Sequence, residues 1–496
     1  MTPLPFARLL ASEIDGRAQN TRYRQAQFHS VQTALLANIE SIRTALATDS
    51  GNSVEEITAE ICLALKEIRT HYDSLNLEDD LEREYRVANG KHNGDAVRGT
   101  GIVYVVPTSH TMFFSTISAV AGAVVAGNCV ILELTKTTMA LPPLLARIFT
   151  QALDADTFAI SEERPDAAFM EKVLVVAQTD IGPASYPRAL TSPVTARTVA
   201  VVDRTADLSS AAKSLVAARF AFSGRSTYAP DVVLVHEFAL KGLVEALILH
   251  SSKHLSGPEG EEREKAVTVS NNPRRPSLGQ SALDVAYKDP SARVLVSGSG
   301  WGVVEVYDRA SVLLKRKIGE RVLILHPVTS LDDAIEFCSD LGTLAATYAF
   351  ASPASANYLT QFIDAHVSYV NHVPFEMLIG PALPISPASP TNTNTATPRS
   401  TRYTPTNFQI LRPQFVSESP SGILVRKILT SKSGPKEASN IWNGTFKPLP
   451  PTGQKNGPRI GFFEQGIITG GVITLASLIG TVATVGYYAV VFLRRV

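Results

Sequence analysis

The sequence has only three cysteines in 496 residues, at Cys62, Cys129 and Cys338. Their wide spacing provides neither a disulfide framework nor a metal-ligand set, so we expect a reducing compartment and no metal site. The formal net charge is zero, which argues against a nucleic-acid-binding protein, because such proteins carry a basic excess. The first residues, MTPLPFARLLASEIDG, contain no continuous apolar stretch, so a secretory signal is not expected.

Hydrophobic residues are plentiful by contrast, at 45% of the chain, and charged residues make up 19%. A mainly disordered chain of this length would be poorer in apolar residues or richer in charge. The sequence therefore predicts folded domains, and its length is sufficient for about three of them.

The longest apolar run, residues 467–493, contains 27 residues without a charge. About 20 apolar residues span a bilayer core, so the run is long enough to cross a membrane with some tilt. Aromatic and basic side chains of the kind found at membrane interfaces lie near its ends, namely Phe462, Phe463, Tyr487, Tyr488, Arg494 and Arg495. We predict a single C-terminal transmembrane helix that acts as a tail anchor, with the bulk of the protein facing the cytosol.

Short apolar segments alternate with helical patterns between residues 101 and 374. GIVYVV (101–106) and CVILEL (129–134) are two such segments, and a helix of small residues lies between them. This alternation indicates an α/β fold with a parallel sheet that is covered on both faces.

The composition changes after residue 381, where PISPASPTNTNTATPRSTRYTPTN is rich in Pro, Ser, Thr and Asn. Such a stretch cannot bury enough apolar surface to order itself. We predict a flexible polar tether over residues 381–460, with short strands at 409–412 and 423–426.

Familiar catalytic motifs are missing from the sequence, since GxSxG, HExxH and paired CxxC do not occur. The histidines are scattered, and His110 alone follows a clearly predicted strand, at the end where ligand sites of α/β folds form. The plainer interpretation of His110, a polar residue at a strand end, is preferred on this pattern alone.

Two long segments resemble the aldehyde dehydrogenase superfamily. GIVYVVPTSHTMFFSTISAVAGAVVAGNCVILEL (101–134) is similar to the segment that runs from the strand before the family's catalytic asparagine to its "AGN-x-V-V-L-K-P" strand. Residues 198–247 resemble the segment around the catalytic cysteine, in which "VD-x-x-AD" and "F-x-N-x-G-Q-x-C-x-AP-D" stand in the same order. The resemblance covers most of residues 101–374, and the C-terminal helix is similar to that of the fatty-aldehyde branch.

The resemblance implies a Rossmann-like cofactor domain, a second α/β catalytic-type domain and a strand pair for oligomerisation. We therefore expect N-terminal helices and the cofactor-type domain over residues 1–205, and the catalytic-type domain over 206–380. The tether at 381–460 and the transmembrane helix at 467–493 complete the predicted organisation.

Other residues occupy the positions that carry the family's chemistry. The catalytic cysteine is matched by Thr227, and the glutamate base of "E-L-G-G-K" is matched by Pro193. A threonine hydroxyl needs an adjacent general base to attack a carbonyl, and a proline has no proton to exchange. The asparagine that donates to the developing oxyanion is matched by His110, which could also donate.

The cofactor positions implied by the resemblance are changed too. Glu133 stands where the family has the lysine that holds the adenosine ribose, and Lys317 stands where it has the glutamate on the nicotinamide ribose. The glycine pair of the nucleotide-binding turn is not recognisable in residues 175–182. NAD or NADP is the expected cofactor if the chain is active, and none is expected otherwise.

Three hypotheses follow from this pattern. The preferred one is a catalytically degenerate protein that holds a partner or an apolar ligand, such as a lipophilic aldehyde, at a membrane, as a homodimer or with a related enzyme. The second is an active NAD(P)-dependent oxidoreductase on a lipophilic aldehyde, using Thr227, Ser226 and His110. The third is a hydrolase or cyclase that reuses the substrate tunnel. The endoplasmic reticulum is the default membrane, and the mitochondrial outer and peroxisomal membranes stay open.

Overall fold

The computed structural model describes residues 6–91, 93–182, 186–252, 281–298, 300–384, 402–411, 418–430, 439–440, 442–444, 446, 448–450 and 462–494. The chain divides into two units, Met1–Phe415 and Val416–Val496, which are treated separately. The predicted tether residues 385–401 and 451–460 lie outside the described residues.

The first unit contains helices that precede, connect and cover two sheets. Their bounds are α1 Ala7–Asp15, α2 Thr21–Ala37, α3 Ile39–Ser50, α4 Val54–Asp73, α5 Leu77–Ala88, α6 Met112–Val125, α7 Leu141–Ala152, α8 Ala167–Met170, α9 Leu208–Phe220, α10 Glu237–Ser252, α11 Ala282–Lys288, α12 Val312–Lys315, α13 Leu331–Asp340 and α14 Pro353–Phe362. Local sequence explains several of the helix starts. Ser53 and Glu56, for example, form a reciprocal capping box at the start of α4.

The strands of the first unit form two main sheets and a short pair. They are β1 Val97–Gly99, β2 Ile102–Val106, β3 Cys129–Glu133, β4 Phe158–Ser161, β5 Leu174–Ala177, β6 Ala189–Thr191, β7 Thr198–Val202, β8 Val232–His236, β9 Ala292–Gly298, β10 Trp301–Val306, β11 Arg321–Val328, β12 Ala346–Phe350, β13 Ser368–Val370 and β14 Gln409–Leu411.

The first sheet has the order β4-β3-β2-β5-β6, and all its pairings are parallel. The second has the order β13-β12-β7-β8-β11-β10-β9 and is parallel except for the pairing of β9 with β10. Every residue of β2, β3, β7 and β8 is buried. Helices cover both faces of a parallel sheet, which explains why these strands are continuous apolar runs. The predicted α/β fold is confirmed.

The boundary between the two sheets differs from the predicted one. The predicted range 1–205 of the cofactor-type domain includes strand β7, but β7 pairs with β8 and β12 of the second sheet. The chain therefore passes from one sheet to the other between Thr191 and Thr198, because β7 lies between β12 and β8 in the second sheet.

Residues 402–411 do not form a tether. Tyr403 and Phe408 are fully buried against Gly122 of α6, where a Cβ would lie 2.8 Å from the Phe408 ring. The next residues form β14, which pairs antiparallel with β1 and confirms the strand predicted at 409–412. Two aromatic side chains outweigh the polar composition around them, so the tether prediction is wrong for this segment.

The second unit contains two longer helices, α15 Pro420–Thr430 and α16 Phe462–Leu493. The helix α15 replaces the strand predicted at 423–426. Within the described part of the chain, Gln465–Ala489 of α16 is long and apolar enough to cross a membrane. Its hydroxyl side chains donate to backbone carbonyls four residues earlier, which satisfies them inside the helix, as seen for Thr474, Ser477, Thr481 and Thr484.

Replacing Phe408 with alanine tests whether residues 402–411 belong to the folded core. We expect Phe408→Ala to destabilise the first unit by about 3–5 kcal/mol, because a fully buried ring leaves a cavity. The matched control is Leu411→Ala on β14, whose side chain is half exposed and should cost well under about 1 kcal/mol. Equal thermal unfolding midpoints for the two variants would show that the segment does not dock.

Candidate functional site

A cavity of about 260 Å³ lies where the segments after β2, β5 and β6 meet the loop between α9 and β8. In α/β folds, ligand sites form at these carboxyl ends of the strands. The lining residues are Thr108, Ser109, His110, Gln178, Thr179, Val194, Arg225, Thr227, Gly380 and Pro381.

The loop that carries Thr227 has an unusual backbone. Phe222, Ser223 and Gly224 have φ values of +49°, +58° and +70°, so three consecutive residues are left-handed. A Cβ on Gly224 would lie 2.3 Å from the carbonyl oxygen of Glu320, so the close approach requires glycine. The two non-glycine residues are strained, and the backbone N–H of Phe222 is held by the Glu56 carboxylate at 2.9 Å.

Lys317 holds the Thr227 loop through hydrogen bonds. Its ammonium group donates to the carbonyl oxygens of Ala196 and Thr227 and to the carboxylate of Asp231, each at 2.8 Å. An ammonium group has three donors, and all three have partners here. Burial lowers the pKa of Lys317, while the adjacent Asp231 carboxylate opposes that shift. Lys317 thus has a structural role, because it links Ala196, Thr227 and Asp231.

Arg219, on α9, holds the other side of the same loop and is fully buried. Its guanidinium donates to the carbonyl oxygens of Gly224, Ala229, Pro230, Ile318 and Glu320. Burial lowers its pKa to about 10. Sequence reasoning missed this residue, and the only available signal was an arginine that directly follows the apolar run 215–218 of α9.

His110 reaches the cavity from the segment after β2. Its Nε2–H donates to the carbonyl oxygen of Leu378 at 2.9 Å, and the ring lies edge-on to Phe222 with centroids 6.2 Å apart. Burial lowers the pKa of His110 to about 4, so the ring is neutral at physiological pH. The structure brings His110 and Thr227 together on one cavity wall.

The position matched to the catalytic glutamate is only adjacent to the cavity. Val194 lines it, whereas Pro193 does not. No carboxylate and no thiol stands among the described lining residues. Burial raises the pKa of Cys129 and Cys338 to about 12, and Cys62 is exposed on α4. Ser226 is also turned away, since it is buried and its hydroxyl accepts from the N–H of Tyr228.

Glu133, at the end of β3, is held in an ion pair. Arg164 donates to its two carboxylate oxygens at 2.9 and 3.0 Å, and the Tyr104 hydroxyl donates at 2.8 Å. This bidentate geometry is the strong form of the arginine–carboxylate interaction. Burial, with the Glu133 carboxylate as a second cause, raises the pKa of Tyr104. Glu133, which stands at a cofactor position of the family, thus stabilises the first sheet by linking β3 to Tyr104 of β2.

A second cavity, of about 320 Å³, lies at the amino ends of β2 and β3. Its wall includes Glu13, Arg98, Thr100 and Cys129, so it is separate from the cavity of Thr227. Over the described ranges, no group of His, Cys, Asp and Glu side chains could hold a metal ion.

No family model matches this sequence. Among curated proteins, it is 26% identical over 359 residues to the "Aldehyde dehydrogenase, dimeric NADP-preferring" of Rattus norvegicus, covering 68% of this chain and 78% of that protein. It is 25% identical over 373 residues to "Aldehyde dehydrogenase family 3 member B1" of the same species, covering 68% and 75%. It is 23% identical over 377 residues to the "4,4'-diaponeurosporen-aldehyde dehydrogenase" of Staphylococcus aureus, covering 68% and 78%.

Solved structures share the fold. The substrate-bound state of Staphylococcus aureus AldH superposes with a TM-score of 0.62 at 15% identity, covering 89% of this chain and 98% of that one. The glyceraldehyde-3-phosphate dehydrogenase GapN of Methanocaldococcus jannaschii, complexed with NADP, superposes with a TM-score of 0.56 at 13% identity, covering 74% and 84%. Since the sequence similarity extends over about two thirds of the chain and the fold agrees, this chain belongs to the aldehyde dehydrogenase superfamily.

Proposed function

We propose that this chain is a membrane-associated aldehyde dehydrogenase-like protein that binds a partner or an apolar ligand and does not oxidise aldehydes. The observation that carries the proposal is Thr227, which lies on the cavity where the family has its cysteine. A hydroxyl is a weak nucleophile at neutral pH and requires a general base within hydrogen-bond reach.

No strong general base stands among the described residues that line the cavity of Thr227. His110 is the one imidazole on the described cavity wall, and its pKa of about 4 makes it a weak base at neutral pH. Its Nε2–H is already committed to the carbonyl of Leu378. The glutamate that the family uses is replaced by Pro193, which has no ionisable group.

The residues at the two cofactor positions also fit NAD or NADP poorly. All three donors of Lys317 hold the backbone and Asp231, so none is left for a ribose hydroxyl. Glu133 is neutralised by Arg164 and hydrogen-bonded by Tyr104. The residues present at these two positions do not suit NAD or NADP, and we assign no step to either cofactor.

Membrane association is supported by α16, whose apolar part spans Gln465–Ala489. We extend the proposal to a tail-anchored orientation with the first unit in the cytosol, and take the endoplasmic reticulum as the default membrane. One rat relative is described as dimeric, which supports a homodimer or a heterodimer with an active relative.

A second candidate is an active NAD(P)-dependent oxidoreductase that converts a lipophilic aldehyde to the acid. It is favoured by one observation, that Thr227 and His110 share the same cavity. Ser226, which this hypothesis would also use, has its hydroxyl in the buried interior of the loop.

Turnover assays separate the two candidates. We expect the full-length chain in detergent to form no NADH or NADPH with medium- and long-chain aldehydes, because no cysteine stands among the described lining residues of the cavity. We also expect no gain in Thr227→Cys, since the base and cofactor positions are changed as well. Cofactor-dependent turnover that is lost in Thr227→Ala, but kept in the cavity control Ser109→Ala, would overturn the proposal.

The structural role of Lys317 is testable apart from catalysis. We expect Lys317→Gln to destabilise the first unit by about 3 kcal/mol, because it leaves the fully buried Asp231 carboxylate with one cation fewer. Lys136→Gln breaks only an exposed pair with Glu162 and should leave the unfolding midpoint unchanged. A variant that keeps the wild-type midpoint but loses an NAD(P)-induced thermal shift would assign Lys317 to the cofactor instead.

Deletion of residues 467–496 tests the membrane helix. We expect the shortened chain to move to the soluble fraction after cell lysis, whereas the full chain sediments with membranes and resists alkaline extraction. A shortened chain that still sediments with membranes would show that another segment provides the attachment.

A further inference from the structure

The cavity of Thr227 contains an unpaired positive charge. Arg225 lines it, is exposed, and its guanidinium makes no hydrogen bond or ion pair with any described residue. His110 is neutral at physiological pH because burial lowers its pKa to about 4. Arg225 therefore supplies the only formal charge on the described cavity wall, and that charge is positive.

Residues with hydroxyl side chains line the same cavity as this guanidinium. Thr108, Ser109, Thr179 and Thr227 all line the cavity. The hydroxyl oxygen of Thr108 accepts the N–H of His110, so its own hydrogen is free to donate. A guanidinium together with hydroxyl donors, and without a carboxylate, is the donor set that binds an oxyanion.

The cavity wall is held in place by hydrogen bonds behind it. The fully buried Gln178 accepts the N–H of Thr108 at 3.2 Å and donates to the carbonyl of Ser115 at 2.8 Å. The N–H of Gly380, another lining residue, donates to the hydroxyl of Thr111 at 2.7 Å. Such a preorganised wall lowers the entropy cost of binding.

The charge at this position departs from the superfamily pattern. In the segment 220–227, Arg225 stands where the superfamily pattern "F-x-N-x-G-Q-x-C" has glutamine. The exchange adds a cation two residues before Thr227, at the point where an aldehyde carbonyl would otherwise be attacked. An uncharged aldehyde gains little from a guanidinium, whereas an anion gains a charge-assisted, bidentate contact.

We propose that this cavity binds the carboxylate head of an apolar acid. The inference rests on the proposed function and names the ligand class of the same site. One guanidinium balances one negative charge, which favours a carboxylate over a phosphate monoester. Val194 and Pro381 provide an apolar wall, and about 260 Å³ accommodates the head group and the first carbons of a chain.

Titration calorimetry on the full-length chain in zwitterionic lipid nanodiscs tests the proposal, with empty nanodiscs as the blank. Octanoate, octanal, octanol and octyl phosphate carry the same chain on different head groups. We expect octanoate to bind at least tenfold more tightly than octanal or octanol at pH 7.5. Arg225→Gln should remove this preference, and Arg225→Lys should keep part of it, because it retains the charge but not the bidentate fork.

Arg98→Gln is the matched control, because it removes an arginine from the second cavity and should leave octanoate binding unchanged. Equal affinity for octanal and octanoate, or an Arg225→Gln variant that still prefers octanoate, would overturn the inference. Tighter binding of octyl phosphate than of octanoate would overturn the assignment to a carboxylate.

Turnover measured in the same samples keeps this inference distinct from the proposed function. Formation of NADH or NADPH from octanal would overturn the proposed function whatever the octanoate affinity is. Absence of turnover together with no preference for octanoate would overturn the carboxylate site alone.

Discussion

The carboxylate of Asp231 joins three segments that are far apart in the chain. It is fully buried, and it accepts the N–H of Thr198 at 2.9 Å, the N–H of Ile318 at 3.0 Å and the ammonium of Lys317 at 2.8 Å. Arg219 lies 3.6 Å away and binds the surrounding carbonyls. A buried charge of this kind persists only when it is fully partnered. The strained loop before Thr227 depends on this network.

The network holds the backbone of this loop in place, although threonine stands where the family has its catalytic cysteine. The left-handed backbone at residues 222–224 places Thr227 on the cavity wall, although a hydroxyl replaces the thiol there. At the neighbouring position, Arg225 replaces a neutral side chain with a cation. The loop still brings residue 227 to the cavity, whereas Arg225 changes the formal charge of the cavity wall. The proposed binding role needs only that combination.

Several predictions could be made because they depend on local chemistry. Continuous apolar strands between residues 101 and 374 indicated a parallel sheet, and the motif around residues 220–231 located the loop of Thr227. Residues 402–411 were misjudged, because composition is averaged over a window, while Tyr403 and Phe408 are buried one by one against α6. The boundary predicted at residue 205 is wrong for a related reason, since the pairing partners of β7, which are β8 and β12, are distant in sequence.

The amino-acid sequence by itself determined the α/β class, the long apolar C-terminal segment and the exchange of cysteine for Thr227. The first two features follow from periodicity and length, and the third follows from the resemblance of residues 198–247 to the family's cysteine segment; none of them needs knowledge of contacts in the fold. Only the tertiary structure decided what Lys317 and Glu133 do, because their partners, Asp231 and Arg164, are brought to them by folding. It also left Arg225 without a counter-ion among the described residues, and the electrostatics of a site depend on which charges fold into contact.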